Sequence, residues 1–259
     1  MRRLSAAVLT GLLLTFGLAA CSDEPVDPTA ECSGNGQVPA GEPGAAEVLL
    51  TTSRGHVLYA DGWMVVPAED GARATLAAVQ VPLMAPPPPT GDLWQPAYLG
   101  SCQVAGIDTL AAEELDDGAD LGQPMVTDAS TTSVTYYGGD GVVRTSAYAL
   151  GHEGTGDGLS RDQRHGRAVL EGLIDALDEA TATGDVLPIE TLQVVGEAGE
   201  PEPEGWPGPP LDELLGDDEC GELTGEEALE VYEFLGERTH DDVGWLRATV
   251  VAPGMSACG

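Results

Sequence analysis

The chain contains no lysine: all 10 basic residues are arginine, set against 44 Asp plus Glu for a formal net charge of −34. That absence excludes mechanisms built on a lysine side chain, among them the P-loop, Schiff-base and pyridoxal chemistry, the kinase strand lysine and the Ser-Lys dyad. Clustered cations are missing too, and phosphate recognition begins with them, so nucleic acid is excluded as a main partner. No serine stands in a G-x-S-x-G elbow; Gly254-Met255-Ser256-Ala257-Cys258 begins like one but carries cysteine where the second glycine belongs. The histidines His56, His152, His165 and His240 include no i, i+4 pair, no two cysteines lie at C-x₂-C spacing, and no D-x-[DN]-x-[DN]-G loop occurs, even at Asp116-Asp117-Gly118-Ala119-Asp120. No metal, no cofactor and no catalytic residue is therefore assigned. Each histidine reads as a surface residue; His152-Glu153 with Asp157 is the one stretch placing an imidazole and two carboxylates in a single loop.

No apolar run reaches the ~20 residues that a bilayer-spanning helix needs. Residues 1–20 have instead the layout of a secretory signal: Arg2 and Arg3, a 13-residue apolar stretch from Ala6 to Leu18, then small residues up to Cys21. Leu18-Ala19-Ala20-Cys21 is similar to a lipobox. In a bacterial lipoprotein this implies a diacylglycerol on the Cys21 thiol and cleavage between Ala20 and Cys21, so the expected address is the cell membrane, lipid-anchored on its extracytoplasmic face. Losing Arg2 and Arg3 leaves eight cations against 44 acids, a charge of −36 that anionic headgroups repel. Residues 21–46, rich in Pro, Gly and acid without apolar periodicity, read as a flexible tether.

Five cysteines less the lipidated one leave Cys32, Cys102, Cys220 and Cys258, an even number that favours two disulfides in an exported protein. Three connectivities are open. The pairing Cys32–Cys102 with Cys220–Cys258 is favoured because the second bond brackets a helix-plus-strand unit.

Along the rest of the chain, Val48–Thr52, His56–Tyr59 and Trp63–Val66 are short β-branched runs, and Asp61-Gly62 between the last two is a hairpin turn pair. A strand is expected at Thr75–Pro82, before the donor-less Pro86–Pro89 run. Asp108 is the expected N-cap of a helix from Thr109 to Asp116. Thr131–Tyr137 and Val142–Leu150 form a second hairpin across a glycine-rich turn. The clearest helix runs from Arg161 to about Thr181, with a Ser160/Gln163 capping box and Val169, Leu170, Leu173, Ile174 and Leu177 on one face. A strand at Ile189–Val195, an acidic crossing segment over Glu197–Leu215, a helix capped by Thr224 with Glu227, and a strand at Trp245–Val251 complete the pattern. Hairpins mixed with about three helices predict an α+β fold, a mainly antiparallel sheet with helices packed on one face. The expected division is a main domain over 47–216 and a disulfide-closed helix-strand unit over 217–259.

The hairpin HVLYADGWMVVP, the segments PMVTDASTTSVTYY and RTSAYALG, the helix RDQRHGRAVLEGLIDAL, and CGELTGEEALEV leading to Cys258 together resemble uncharacterised lipoproteins and secreted proteins of high-GC Gram-positive bacteria. The resemblance covers roughly Leu49 to the C-terminus. It implies an envelope location and this fold, and transfers no catalytic residue.

Two functional classes follow. One is a non-catalytic binding or interaction module of the envelope, whose partner is an envelope protein or a small-molecule or glycan ligand. Its candidate contacts are Trp94, Tyr98 and Trp206, aromatics beside prolines in expected loops. The alternative is an extracytoplasmic hydrolase drawing an acid/base pair from scattered Asp, Glu and His. The missing motifs put the binding module first. The nine acids of residues 212–230 read as a solvated face with only weak, screened calcium binding.

Overall fold

The computed structural model describes residues 26–33, 36–68, 93–139, 141–152, 154, 158–197, 200–238, 243 and 245–258. Cys21, the expected strand at 75–82, the Pro86–Pro89 run, Glu153, Asp157 and His240 lie outside the described residues.

Among the described residues, ten strands form two antiparallel sheets. They are β1 (Val48–Thr52), β2 (Val57–Tyr59), β3 (Trp63–Pro67), β4 (Trp94–Tyr98), β5 (Thr131–Tyr136), β6 (Val143–Tyr148), β7 (Thr181–Ala182), β8 (Thr191–Gly196), β9 (Cys220–Thr224) and β10 (Leu246–Val250). The larger sheet has seven strands in the order β6-β5-β1-β2-β3-β4-β7, and the smaller has three, β10-β8-β9. Four helices accompany them among the described residues: α1 (Ser101–Glu114), α2 (Arg161–Asp178), α3 (Leu211–Leu215) and α4 (Gly225–Gly236). The fold is α+β, built on a mainly antiparallel sheet.

Side-chain alternation divides the large sheet into two faces. Leu50, Leu58, Met64 and Ala97 point to one side and join Ile107 of α1 and Leu170, Leu173, Ile174 and Leu177 of α2 in one core. Val57, Tyr59, Trp63 and Val65 point to the other, where Ala252 and Met255 of the C-terminal segment cover them. The Tyr59 hydroxyl donates to Pro253 O at 2.6 Å, fastening that segment to the middle of the sheet. Under the small sheet, Leu192 and Val194 of β8 meet Ala228, Val231 and Leu235 of α4 in a third core. The C-terminal unit, expected from residue 217, thus takes its central strand from Thr191–Gly196.

Helix α2 follows its capping box: Ser160 Oγ accepts from Gln163 N at 3.2 Å, and Gln163 Oε1 accepts from Ser160 N at 2.9 Å. Helix α1 departs from expectation. It starts at Ser101, seven residues before the expected cap Asp108, and Gln103 Oε1 reaches back to accept from Gly100 N at 2.9 Å. Asp108 lies inside the helix, its carboxylate accepting from the Tyr136 hydroxyl at 2.6 Å. Thr224 precedes α4 without a side-chain cap bond.

The disulfides join Cys32 to Cys102 and Cys220 to Cys258, the pairing favoured on sequence. The first overturns the reading of residues 21–46 as one free tether. From Val26 onward this stretch is a strap across the helices. Val26 N donates to Ala168 O at 3.4 Å, and a Cβ at Gly172 would overlap the Val26 carbonyl. A Cβ at Gly106 of α1 would likewise overlap the Pro28 carbonyl. Glycine is needed at both positions so that backbone can approach backbone.

Candidate functional site

Trp94 and Tyr98, expected in loops, are the two ends of β4, with Pro96 between them. A proline argues against a central strand because it lacks a ladder donor. Here Pro96 O accepts from Thr183 N at 2.9 Å, on the side of the two-residue strand β7. The missing donor of Pro96 faces that same short edge, and pairing with β3 is untouched. Trp206 is also half-buried: its ring meets Phe234 edge-on with centroids 5.8 Å apart, and Nε1 donates to Pro209 O at 2.8 Å. Tyr98 packs into the outer core of the large sheet and Trp206 into that of the small one, so the structure does not bring the three aromatics together.

Trp94 stands where the two sheets meet. It touches both cores, its Nε1 donates to Val250 O of β10 at 2.7 Å, and its own carbonyl accepts from Leu187 N at 2.8 Å. The ring is thereby fixed, and it lines two clefts. The first cleft, about 340 Å³, has a floor of Trp94, Pro43, Leu187, Val251 and Pro253 and two exposed carboxylates, Glu42 and Glu190, among its walls. The second, about 360 Å³, has Thr51, Thr52, His56, Gln193, Thr249 and Ser256 among its walls. Among the described residues, no arginine lines either. An apolar floor around a fixed indole, with carboxylates and no cation, suits a ligand with an apolar body and a positive charge.

His56, read as a surface residue, is 7 % exposed. The β1–β2 turn folds it inward: His56 N donates to Thr52 Oγ1 at 3.2 Å and its carbonyl accepts from Thr52 N at 3.0 Å. Its Nε2 lies 3.2 Å from Asp178 Oδ1, and the other oxygen of Asp178 lies 3.0 Å from Arg54 Nη1. Nδ1 is buried without a hydrogen-bond partner among the described residues. Burial lowers the His56 pKa from the usual 6.5; Asp178 raises it and Arg54 lowers it again. Above pH ~6.5 the lowered pKa favours the neutral ring, and the tautomer that this geometry suits donates from Nε2 to Asp178 and keeps the lone pair on Nδ1.

A histidine with a folded pKa below its unfolded value binds its proton more weakly in the fold. Its contribution is fully present above pH ~6.5 and falls as pH drops through that value toward the folded pKa, by at most about 1.4 kcal/mol per pH unit. Urea midpoints at pH 7.5 and 5.5 should therefore differ more in the wild type than in His56→Gln. An equal pH response in the two proteins would show that His56 binds its proton as tightly in the fold as in the unfolded chain.

The chain matches no protein-family model, no curated protein and no solved structure.

The other sequence candidates have structural work. His165 Nε2 lies 3.1 Å from Glu114 Oε2 on the surface. In the Asp116–Asp120 stretch, Asp117 Oδ1 accepts from Arg144 N at 3.1 Å, and Asp120 accepts from Gly122 N at 2.9 Å and Gln163 Nε2 at 3.3 Å. Among the described residues, no three His, Cys, Asp or Glu side chains are grouped to hold a metal. No described helix is long and apolar enough to cross a membrane. Sequence reasoning found Trp94 through its neighbouring prolines but missed Glu42, His56, Glu190 and Thr249, which enter the clefts from separate stretches.

Proposed function

We propose that the protein is a cell-envelope lipoprotein, anchored through Cys21 on the extracytoplasmic face, that acts as a non-catalytic binding module. Its ligand seats in the clefts beside Trp94 and is a cationic, partly apolar segment of an envelope protein or a small molecule of that chemistry. The observation that carries this reading is the indole itself, held by β10 at the junction of two sheets and bordered by apolar residues and two carboxylates. Aromatic floors beside prolines suit extended peptide, whose preset conformation limits the entropy lost on binding. The signal-like N-terminus and the family resemblance support the address, and two disulfides suit an oxidising compartment.

The hydrolase alternative draws on one observation, the His56–Asp178 pair, since a neutral imidazole oriented by a carboxylate is the form of a general base. His56→Gln separates the two readings: it should leave ligand binding in the first cleft unchanged, whereas a hydrolase would lose turnover.

The binding reading is tested by titrating the processed chain with equal-length peptides that alternate proline with either arginine or glutamate. Saturable binding confined to the arginine series is expected. No binding of any arginine peptide to folded protein would overturn the cleft assignment. The address is tested by fractionation and lipid labelling of cells expressing the wild type or Cys21→Ala, with membrane retention and label expected only in the wild type.

A further inference from the structure

We infer that the anchored protein turns its helical layer toward the membrane and its Trp94 clefts away from it, an orientation that rests on attachment at Cys21. Three contacts fix where the chain enters the body: the Val26 backbone against Ala168 and Gly172 of α2, the Pro28 carbonyl against Gly106 of α1, and the Cys32–Cys102 disulfide. At about 100° per residue, Ala168, Gly172 and Asp175 lie on the side of α2 opposite Leu170, Leu173, Ile174 and Leu177, which face the sheet. The strap therefore crosses the outer surface of the helical layer. The clefts lie beyond the sheet, on the face that carries Trp63 and Val65.

Only the five residues Cys21–Pro25 separate the attachment point from Val26. Fully extended, they span at most about 18 Å. A helix layer and a sheet together are roughly 20 Å thick, so this leash is too short to bring the clefts round to the bilayer. It is long enough to leave a gap beyond the ~8 Å screening length, where the acidic body is no longer strongly repelled by anionic lipid. The strap thus acts as an orienting device: a ligand reaches the clefts from the cell-wall side.

The test uses two properties of the sequence. In the processed chain Cys21 is the one cysteine outside the two disulfides, so it can be coupled chemically to maleimide-lipid in phosphatidylcholine vesicles carrying an energy acceptor at the headgroups. The chain lacks lysine, so a single introduced lysine carries the donor dye, and the lysine-free parent supplies the background from the terminal amine. Ala105→Lys on α1 and Thr249→Lys on β10 replace exposed residues on the two sides. Energy transfer should be several-fold greater from position 105 than from 249. Equal or reversed transfer would overturn the inference. Inserting 20 Gly/Ser residues between Pro25 and Val26 should erase the difference without touching the fold; a difference that survives the insertion would also overturn it. Chemical coupling keeps this result separate from biological lipidation, which the Cys21→Ala fractionation reads by itself.

Discussion

Replacing Arg167 with methionine should lower stability by on the order of 4 kcal/mol, the largest single-residue effect expected outside the disulfides. Arg167 is 2 % exposed and is the one buried arginine among the described residues. It projects from α2 and donates to three carbonyls: Leu121 O at 3.2 Å, Tyr148 O at 2.7 Å and Ala149 O at 2.9 Å. Tyr148 ends β6 and Ala149 begins the loop that returns toward α2, while Leu121 belongs to the segment between α1 and β5, so one guanidinium ties two segments to the helix. Methionine restores much of the volume and none of the donors: Ala149 O keeps His152 N at 3.2 Å, while Leu121 O and Tyr148 O lose their bonds to the guanidinium. The cost follows from desolvation rather than from lost attraction alone. Urea unfolding of Arg167→Met and Arg167→Lys measures it, with the lysine variant expected to keep part of the stability. A loss below about 1 kcal/mol in the methionine variant would mean that water reaches those carbonyls in the folded protein.

Reversing both cleft carboxylates, Glu42→Arg with Glu190→Arg, should slow association of a cationic peptide on the order of 10- to 100-fold at low ionic strength. Both residues are exposed, so melting should hardly change. The full chain carries a formal net charge of −34 and would still attract cations in general. A local effect must therefore exceed what the change in net charge produces elsewhere. The control is Glu226→Arg with Glu230→Arg on α4, which makes the same change in net charge away from the clefts. Stopped-flow rates at two salt concentrations separate the cases: equal slowing by the two pairs would reduce the cleft to an ordinary part of an acidic surface.

Much of the fold was legible because local chemistry and tertiary packing agree. The β2–β3 turn is one case, since Gly62 has φ +95° and Asp61 Oδ1 accepts from Trp63 N at 3.1 Å. Helix α2 is another, with capping box and apolar stripe in the same register as the sheet beneath it. Where they disagree, the sequence misleads. Pro96 hides a strand because its missing donor faces a two-residue edge. Helix α1 begins at a glycine cap whose signature is a single glutamine three residues on. Strand β9 was absorbed into an acidic run because its exposed positions carry the acid while Gly221 and Leu223 turn inward.

The strap and the site were hardly legible at all, for a shared reason. A glycine inside a helix reads as a local cost of up to about 1 kcal/mol, and nothing in the spacing of Gly106 and Gly172 says that a distant backbone needs the space. The clefts likewise draw on residues near 42, 94, 190 and 250, brought together only by the joint between the sheets. An indole flanked by prolines was the visible part, and its placement in a strand rather than a loop is what fixes the ring.

The most direct test of the binding reading places a photoreactive phenylalanine analogue at Pro188, an exposed residue of the first cleft, in the full-length chain expressed in intact cells. Met125, 92 % exposed and outside both clefts, takes the same analogue as a control. A discrete adduct from position 188, absent from position 125 and lost when Glu42 and Glu190 are reversed to arginine, is the predicted result. No adduct at position 188, or one that survives the charge reversal unchanged, would contradict a cation-binding cleft beside Trp94.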